Sequence, residues 1–234
     1  MFKTLIAAAL AVACGSAAAD DVDAILRKAD SYRMPHASAQ MDSLVQTFKD
    51  GKLDKEKRYQ VLVRAGGKSL ILFRSPGEAG QKVLMSGDDF WMLLPGSARP
   101  IRITPLQKLL GDASTGDIAT LTWSGDYHGN VVREVDVDGV HCLELELAAT
   151  RKTLSYQRVV LQVAKADYRP LHADLYATSN KRLKQAHYSQ DRMVLVDEIA
   201  NGRETVITTS GSRARQFGDE LFNPMYLVRS DAAP

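Results

Sequence analysis

The chain has 234 residues, 30 basic and 28 acidic side chains, and a net charge of +2. So balanced a chain is not an obvious nucleic-acid binder, and no nucleic-acid partner is expected. It holds two cysteines, too few for a disulfide framework, so its fold has to rest on an apolar core.

The first 19 residues read as an export signal. Lys3 supplies the positive end and Leu5–Cys14 is an apolar run too short to span a bilayer. Ala17-Ala18-Ala19 fits a small-residue cleavage site. Cleavage there removes one Lys and no acid, takes the net charge from +2 to +1, and leaves Cys142 as the sole thiol. A second reading makes Cys14 the acylated residue of a lipoprotein, although Ala11 stands where a large aliphatic residue is usual. The expected location is the periplasm. No linker, low-complexity tract or repeat divides residues 20–234, which are expected to form a single domain.

Asp20–Arg33 has helical spacing, with Val22, Ile25, Leu26 and Ala29 on one face, an Asp cap and Pro35 as the stop. The period then changes to two. Gln40–Phe48 alternates weakly, with Met41 and Val45 on one face, and Asp50-Gly51 turns the chain. Lys55–Arg64 alternates cleanly, with Tyr59, Val61 and Val63 on one face. In Ser69–Arg74, Ile71 and Phe73 oppose Leu70 and Leu72, so both faces are apolar.

Residues 81–112 hold the densest apolar run after the N-terminus. In its strand Phe90, Met92 and Leu94 oppose Trp91 and Leu93. A strand with one wet face alternates apolar with polar, so this one needs cover on both sides. An ordinary sandwich core strand would meet that need, as would a curved sheet with a covered hollow. Arg99–Ile103 adds a short strand, and Thr104-Pro105 opens an apolar helical turn from Leu106 to Leu110.

Asp112–Leu121 is rich in Ser, Thr, Gly and Asp, with one helical turn near Ile118. Val131–Val137 and His141–Leu147 form a hairpin about Asp138-Gly139, with Leu143, Leu145 and Leu147 on one face and Cys142, Glu144 and Glu146 on the other. Gln157–Ala164 follows, with Val159, Leu161 and Val163 inward. Leu171–Tyr176 pairs with Leu183–Tyr188, and Met193–Ile199 with Glu204–Thr208. About ten or eleven strands are expected. The tail carries Phe222, Pro224, Tyr226 and Leu227 and then frays.

No catalytic set emerges. His141 and Cys142 are strand neighbours and point to opposite faces. His172 and Asp174 share a face but lack a third metal ligand at a telling spacing. Asp88-Asp89 follows Ser86-Gly87 and reads as turn chemistry. No phosphate loop, serine elbow or zinc signature is present, so no cofactor, metal or catalytic residue is expected.

An ordered set of residues resembles the outer-membrane lipoprotein-sorting, LolA-like proteins, in the branch found beside large export pumps. It runs from Ile25-Leu26 through Gly80…Val83-Leu84 to Gly87-Asp88-Asp89-Phe90-Trp91-Met92 and Pro95. Arg102-Ile103, Leu109-Leu110-Gly111, Leu143-Glu144-Leu145, Val159-Val160-Leu161 and Tyr168-Arg169-Pro170-Leu171 complete it. Gly111–Asp117 departs from the pattern, because that branch's aromatic residues are missing.

The resemblance implies a mainly β, α+β fold: a strongly curved, incomplete antiparallel β-barrel with covering helices and an apolar cavity for acyl chains. It implies a periplasmic carrier of lipid or lipoprotein acyl chains, for lipoprotein sorting or lipid transport towards the outer membrane, and not an enzyme. Its partners would be an inner-membrane transporter or an outer-membrane acceptor. The alternative is a non-transporting sensor or interaction module on the same fold, associated with an export pump. Ile71, Phe73, Trp91, Leu93, Leu106 and Leu109 are the expected cavity wall, from their places in doubly apolar strands and in the small helix beside them.

Overall fold

The computed structural model describes residues 21–104, 115–119, 122–200 and 202–229. The export signal and the apolar turn holding Leu106 and Leu109 therefore lie outside the described residues.

The leading helix, α1, spans Val22–Arg33. The Asp21 side chain caps it by accepting from the Asp23 N–H, and Ile25, Leu26 and Ala29 are buried. Six strands follow: β1 (Ser38–Lys49), β2 (Lys52–Arg64), β3 (Lys68–Phe73), β4 (Lys82–Ser86), β5 (Asp89–Leu93) and β6 (Ile101–Ile103). A short helix, α2 (Thr115–Ala119), lies in the connection to the second run. That run is β7 (Tyr127–Val137), β8 (Val140–Ala149), β9 (Arg158–Ala164), β10 (Pro170–Tyr176), β11 (Arg182–Tyr188), β12 (Arg192–Asp197) and β13 (Arg203–Ala214).

Each run is a meander. At Asp50-Gly51 and Asp138-Gly139 both turn residues have positive φ, the geometry of the tight hairpin turn that suits twisted strands. β1 then pairs antiparallel with β13, placing Val45 opposite Ile207, and joins the runs into one antiparallel sheet of thirteen strands. The edges are β6 and β7, consecutive in the chain, and α2 falls between them in sequence.

Thirteen strands spaced about 4.8 Å apart would spread over roughly 60 Å if flat. Instead one continuous apolar cluster joins Phe90 and Val83 near one edge to Leu143 and Leu145 near the other, and to Ile25 and Leu26 of α1. The sheet is therefore curled around α1 as an incomplete barrel. Across the curl, Asp88 after β4 accepts from the Thr153 hydroxyl at 2.7 Å and pairs with Arg151 at 3.0 Å.

The inward phases follow the alternation. Tyr59, Val61 and Val63 are buried in the inner cluster, as are Leu143, Leu145 and Leu147, and Val159, Leu161 and Val163. The doubly apolar strands find cover on both faces. Ile71, Phe73 and Phe90 point inward, and Leu62, Leu70, Leu72, Leu84 and Leu93 point outward. Phe217, Phe222 and Leu227 lie over that outer set. The tail, in one-turn helices at Asp219–Phe222 and Pro224–Tyr226, thus closes a second core.

Candidate functional site

A cleft of about 350 Å³ opens on the hollow side, between the end of α1, α2 and the strands β11 to β13. Ile118, Tyr188, Met193 and Ile207 form its apolar walls. A smaller cavity of about 50 Å³ lies beside it, lined by Trp123, Leu154, Val159, Leu175 and Leu195. Arg33, Asp117, Tyr188 and Met193 border both, so they form the partition.

Local structure explains how that partition is held. Arg33 ends α1 just before Pro35, and its guanidinium lies 4.6 Å from the ring centre of Trp123 and 5.5 Å from that of Tyr188. The two rings meet edge-on at 5.5 Å. Burial pushes the Tyr188 phenol up to about 12, so it stays a neutral hydroxyl. Asp117 of α2 accepts from Lys184 of β11 at 2.6 Å and from the Tyr156 hydroxyl at 2.6 Å. The Asp117 and Lys184 side chains are 3% and 9% exposed, so this ion pair is inside the protein and ties α2 down over the hollow.

Asp30 positions the Trp123 loop. It is buried on α1 and accepts from the Trp123 N–H at 2.6 Å, the Ser124 N–H at 2.8 Å and the Ser124 hydroxyl at 2.6 Å. Burial pushes its carboxyl above the usual range, and the Ser124 and Trp123 donors pull it back. Asp30→Ala leaves two backbone N–H groups without this acceptor and is expected to cost about 2–3 kcal/mol. Urea unfolding checks this; a loss below about 1 kcal/mol would mean water replaces the carboxylate.

The structure divides the expected wall residues. Ile71 and Phe73 face the hollow, Ile71 beside Val61 and Val83, and Phe73 edge-on to Tyr59 at 4.9 Å. Trp91 and Leu93 face the opposite way and pack with the tail. None of these four lines the cleft, and Leu106 and Leu109 lie outside the described residues. The doubly apolar pattern required cover on both faces without saying which face met the hollow.

Sequence reasoning passed over Arg33, Asp117, Lys184 and Tyr188. One signal was available: Lys184 is in phase with Ala186 and Tyr188, a charge on the face of β11 that carries Ala186 into the core.

The other expected polar groups sit elsewhere. His172 and His187 are cross-strand partners with rings 4.8 Å apart, and His172 is 3.8 Å from Asp174. Among the described residues no three His, Cys, Asp or Glu are placed to hold a metal ion. Cys142 is buried, its Sγ 3.3 Å from the Val140 carbonyl, and burial pushes its thiol up, away from the nucleophilic thiolate.

A family model described as an uncharacterized protein matches residues 66–229. No curated protein matches the chain. Among solved structures, a LolA superfamily protein from Nitrosomonas europaea is 31% identical, with a TM-score of 0.80, over 87% of this chain and 97% of that one. A DUF1329 family protein from Desulfovibrio piger shares the fold at 23% identity and a TM-score of 0.73, over 88% and 97% of the two chains. A domain from Vibrio parahaemolyticus, described as an outer membrane lipoprotein-sorting protein, does so at 20% identity and a TM-score of 0.72, over 88% and 98%. With the curled, seamed sheet and this likeness over nearly the whole chain, the protein belongs to the LolA superfamily.

Proposed function

We propose that this protein is a periplasmic carrier that holds the acyl chain of a lipid or lipoprotein in the cleft beside α1 and passes it towards the outer membrane. The observation that carries the reading is the cleft itself, about 350 Å³ with apolar walls and an apolar cavity behind them. Ligand sites have volumes of about 300–1,000 Å³ and are mostly apolar with a few placed polar groups. Each methylene buried there stabilises the complex by about 0.8 kcal/mol, so a carrier needs no catalytic group and little polar specificity. The likeness to the lipoprotein-sorting domain supports the same reading. The N-terminal stretch read as an export signal supports the location.

Titrating fatty acids or lysolipids of increasing length tests the proposal. Trp123 lines the inner cavity and is the reporter, while Trp91, on the outer face, supplies a steady background. Affinity is expected to rise with each added methylene by at most about 0.8 kcal/mol until the site is full. Absence of saturable binding, or binding indifferent to chain length, would overturn the carrier reading. Saturable binding without transfer to acceptor vesicles would favour the sensor alternative.

A further inference from the structure

The cleft is charged as well as apolar, and the charge is unevenly placed. Arg33, Arg169 and Arg192 line it, against Asp117 and Asp191. Asp117 is matched at 2.6 Å by Lys184, from within the barrel, so it does little to offset the arginines. Arg33 is at the partition, over the Trp123 and Tyr188 rings. The other two belong to the mouth. Arg169, half-buried, pairs with Asp167 at 4.0 Å, the outer limit of an ion pair. Arg192, exposed at the start of β12, makes no ion pair with a described residue.

Polarity falls from the mouth inward. The mouth carries the hydroxyls of Ser189, Thr209, Ser210 and Ser212 beside the two arginines. Met193 is half-buried behind them, and Ile207 and Ile118 are buried. This is the polarity profile of an amphiphile, with its charged end outward. Guanidinium groups present a planar fork of donors that matches the oxygens of a carboxylate or a phosphate.

We propose that the mouth selects an acidic head group, so that the ligand is an anionic amphiphile, a carboxylate or phosphate on an acyl chain. Arg169 and Arg192 hold the head, and the chain runs inward past Met193 and Ile207. The inference rests on the carrier reading and narrows its ligand class. Because Arg192 is exposed and screened over about 8 Å at physiological ionic strength, the head group governs selectivity more than affinity.

The test compares four single-chain amphiphiles of one length, an alkyl carboxylate, an alkyl phosphate, an alkyl alcohol and an alkyl trimethylammonium, by Trp123 quenching at low salt. The two anions are expected to bind about 3–10-fold more tightly than the alcohol, and the cation most weakly, with the differences shrinking as salt is added. Arg169→Gln with Arg192→Gln is expected to abolish the preference, bringing the two anions down to the affinity of the alcohol. Inorganic phosphate at millimolar concentration is expected not to displace the alkyl phosphate. Equal binding of all four by the unaltered protein, or a preference that survives the double variant, overturns the head-group inference and leaves the carrier reading standing. Displacement by inorganic phosphate overturns it in favour of a free-anion site. Failure of all four to bind overturns the carrier reading, and this inference with it.

Discussion

Replacing Lys184 with Met is expected to destabilise the protein by about 3–5 kcal/mol, the cost of leaving one partner of a buried ion pair uncompensated. The Asp117 side chain is 3% exposed, and the substitution removes the ammonium 2.6 Å from its Oδ2. The Tyr156 hydroxyl still donates to Oδ1, but a neutral hydrogen bond offsets a buried negative charge less well than the ammonium does. The double variant Asp117→Leu/Lys184→Met removes both charges and is expected to be more stable than Lys184→Met alone, since a buried pair exchanged for apolar groups is often neutral. That ordering distinguishes an internal pair from a surface one, where the two single losses would be small and additive. Urea unfolding of Lys184→Met, Asp117→Leu and the double variant measures it. A loss below about 1 kcal/mol for Lys184→Met would mean that water reaches the pair, and that α2 is not fastened over the hollow. If it is fastened there, Lys184→Met should also weaken amphiphile binding in the temperature range where the variant is folded.

The second large effect concerns the tail. Phe222 and Leu227 are 3% and 1% exposed against the outer apolar face of β2 to β5. Phe222→Ala is expected to cost about 3–5 kcal/mol, and Leu227→Ala about 2–5 kcal/mol. Ending the chain after Gln216 removes Phe217, Phe222 and Leu227 together. It exposes Leu62, Leu70, Leu72, Leu84 and Leu93, with Trp91 beside them, and the truncated protein is expected to aggregate. The polar ties of the tail are a weaker contribution. Asp219 accepts from Arg64 at 2.8 Å and from Lys68 at 2.7 Å, but its side chain is 72% exposed, and exposed pairs contribute little. Lys82 donates to the Leu227 carbonyl at 3.0 Å. Asp219→Ala should therefore change stability far less than Phe222→Ala. Thermal melts with light scattering compare them. Phe222→Ala within about 0.5 kcal/mol of the parent would mean a tail that merely rests on the sheet.

Much of the fold was legible because strand patterning is local. Alternation with a period of two assigned Tyr59, Val61 and Val63, Leu143, Leu145 and Leu147, and Val159, Leu161 and Val163 to a single face, and each set is buried in the inner core. Asp50-Gly51 and Asp138-Gly139 announced their hairpins, since both turn positions need positive φ. The resemblance to LolA-like proteins carried the reading further, to an open, curved barrel. The count fell short at β4, which is too brief to show a pattern, whereas β6 lies within the short strand expected at Arg99–Ile103.

The sequence by itself determined the inward phase of the long strands, their turns, and the need for cover on both faces of β3 and β5. Tertiary structure alone decided what supplies that cover and where the cleft lies. Those relations connect residues far apart in the chain: Asp30 with Ser124 at a separation of 94 residues, and Asp117 with Lys184 at 67. Alternation assigns a side chain to one face of its own strand, and it carries no information about what that face will meet. Trp91 and Leu93 thus turned to the tail and Trp123 to the cleft, because the curl of the sheet, closed by β1 against β13, sets which face is the hollow.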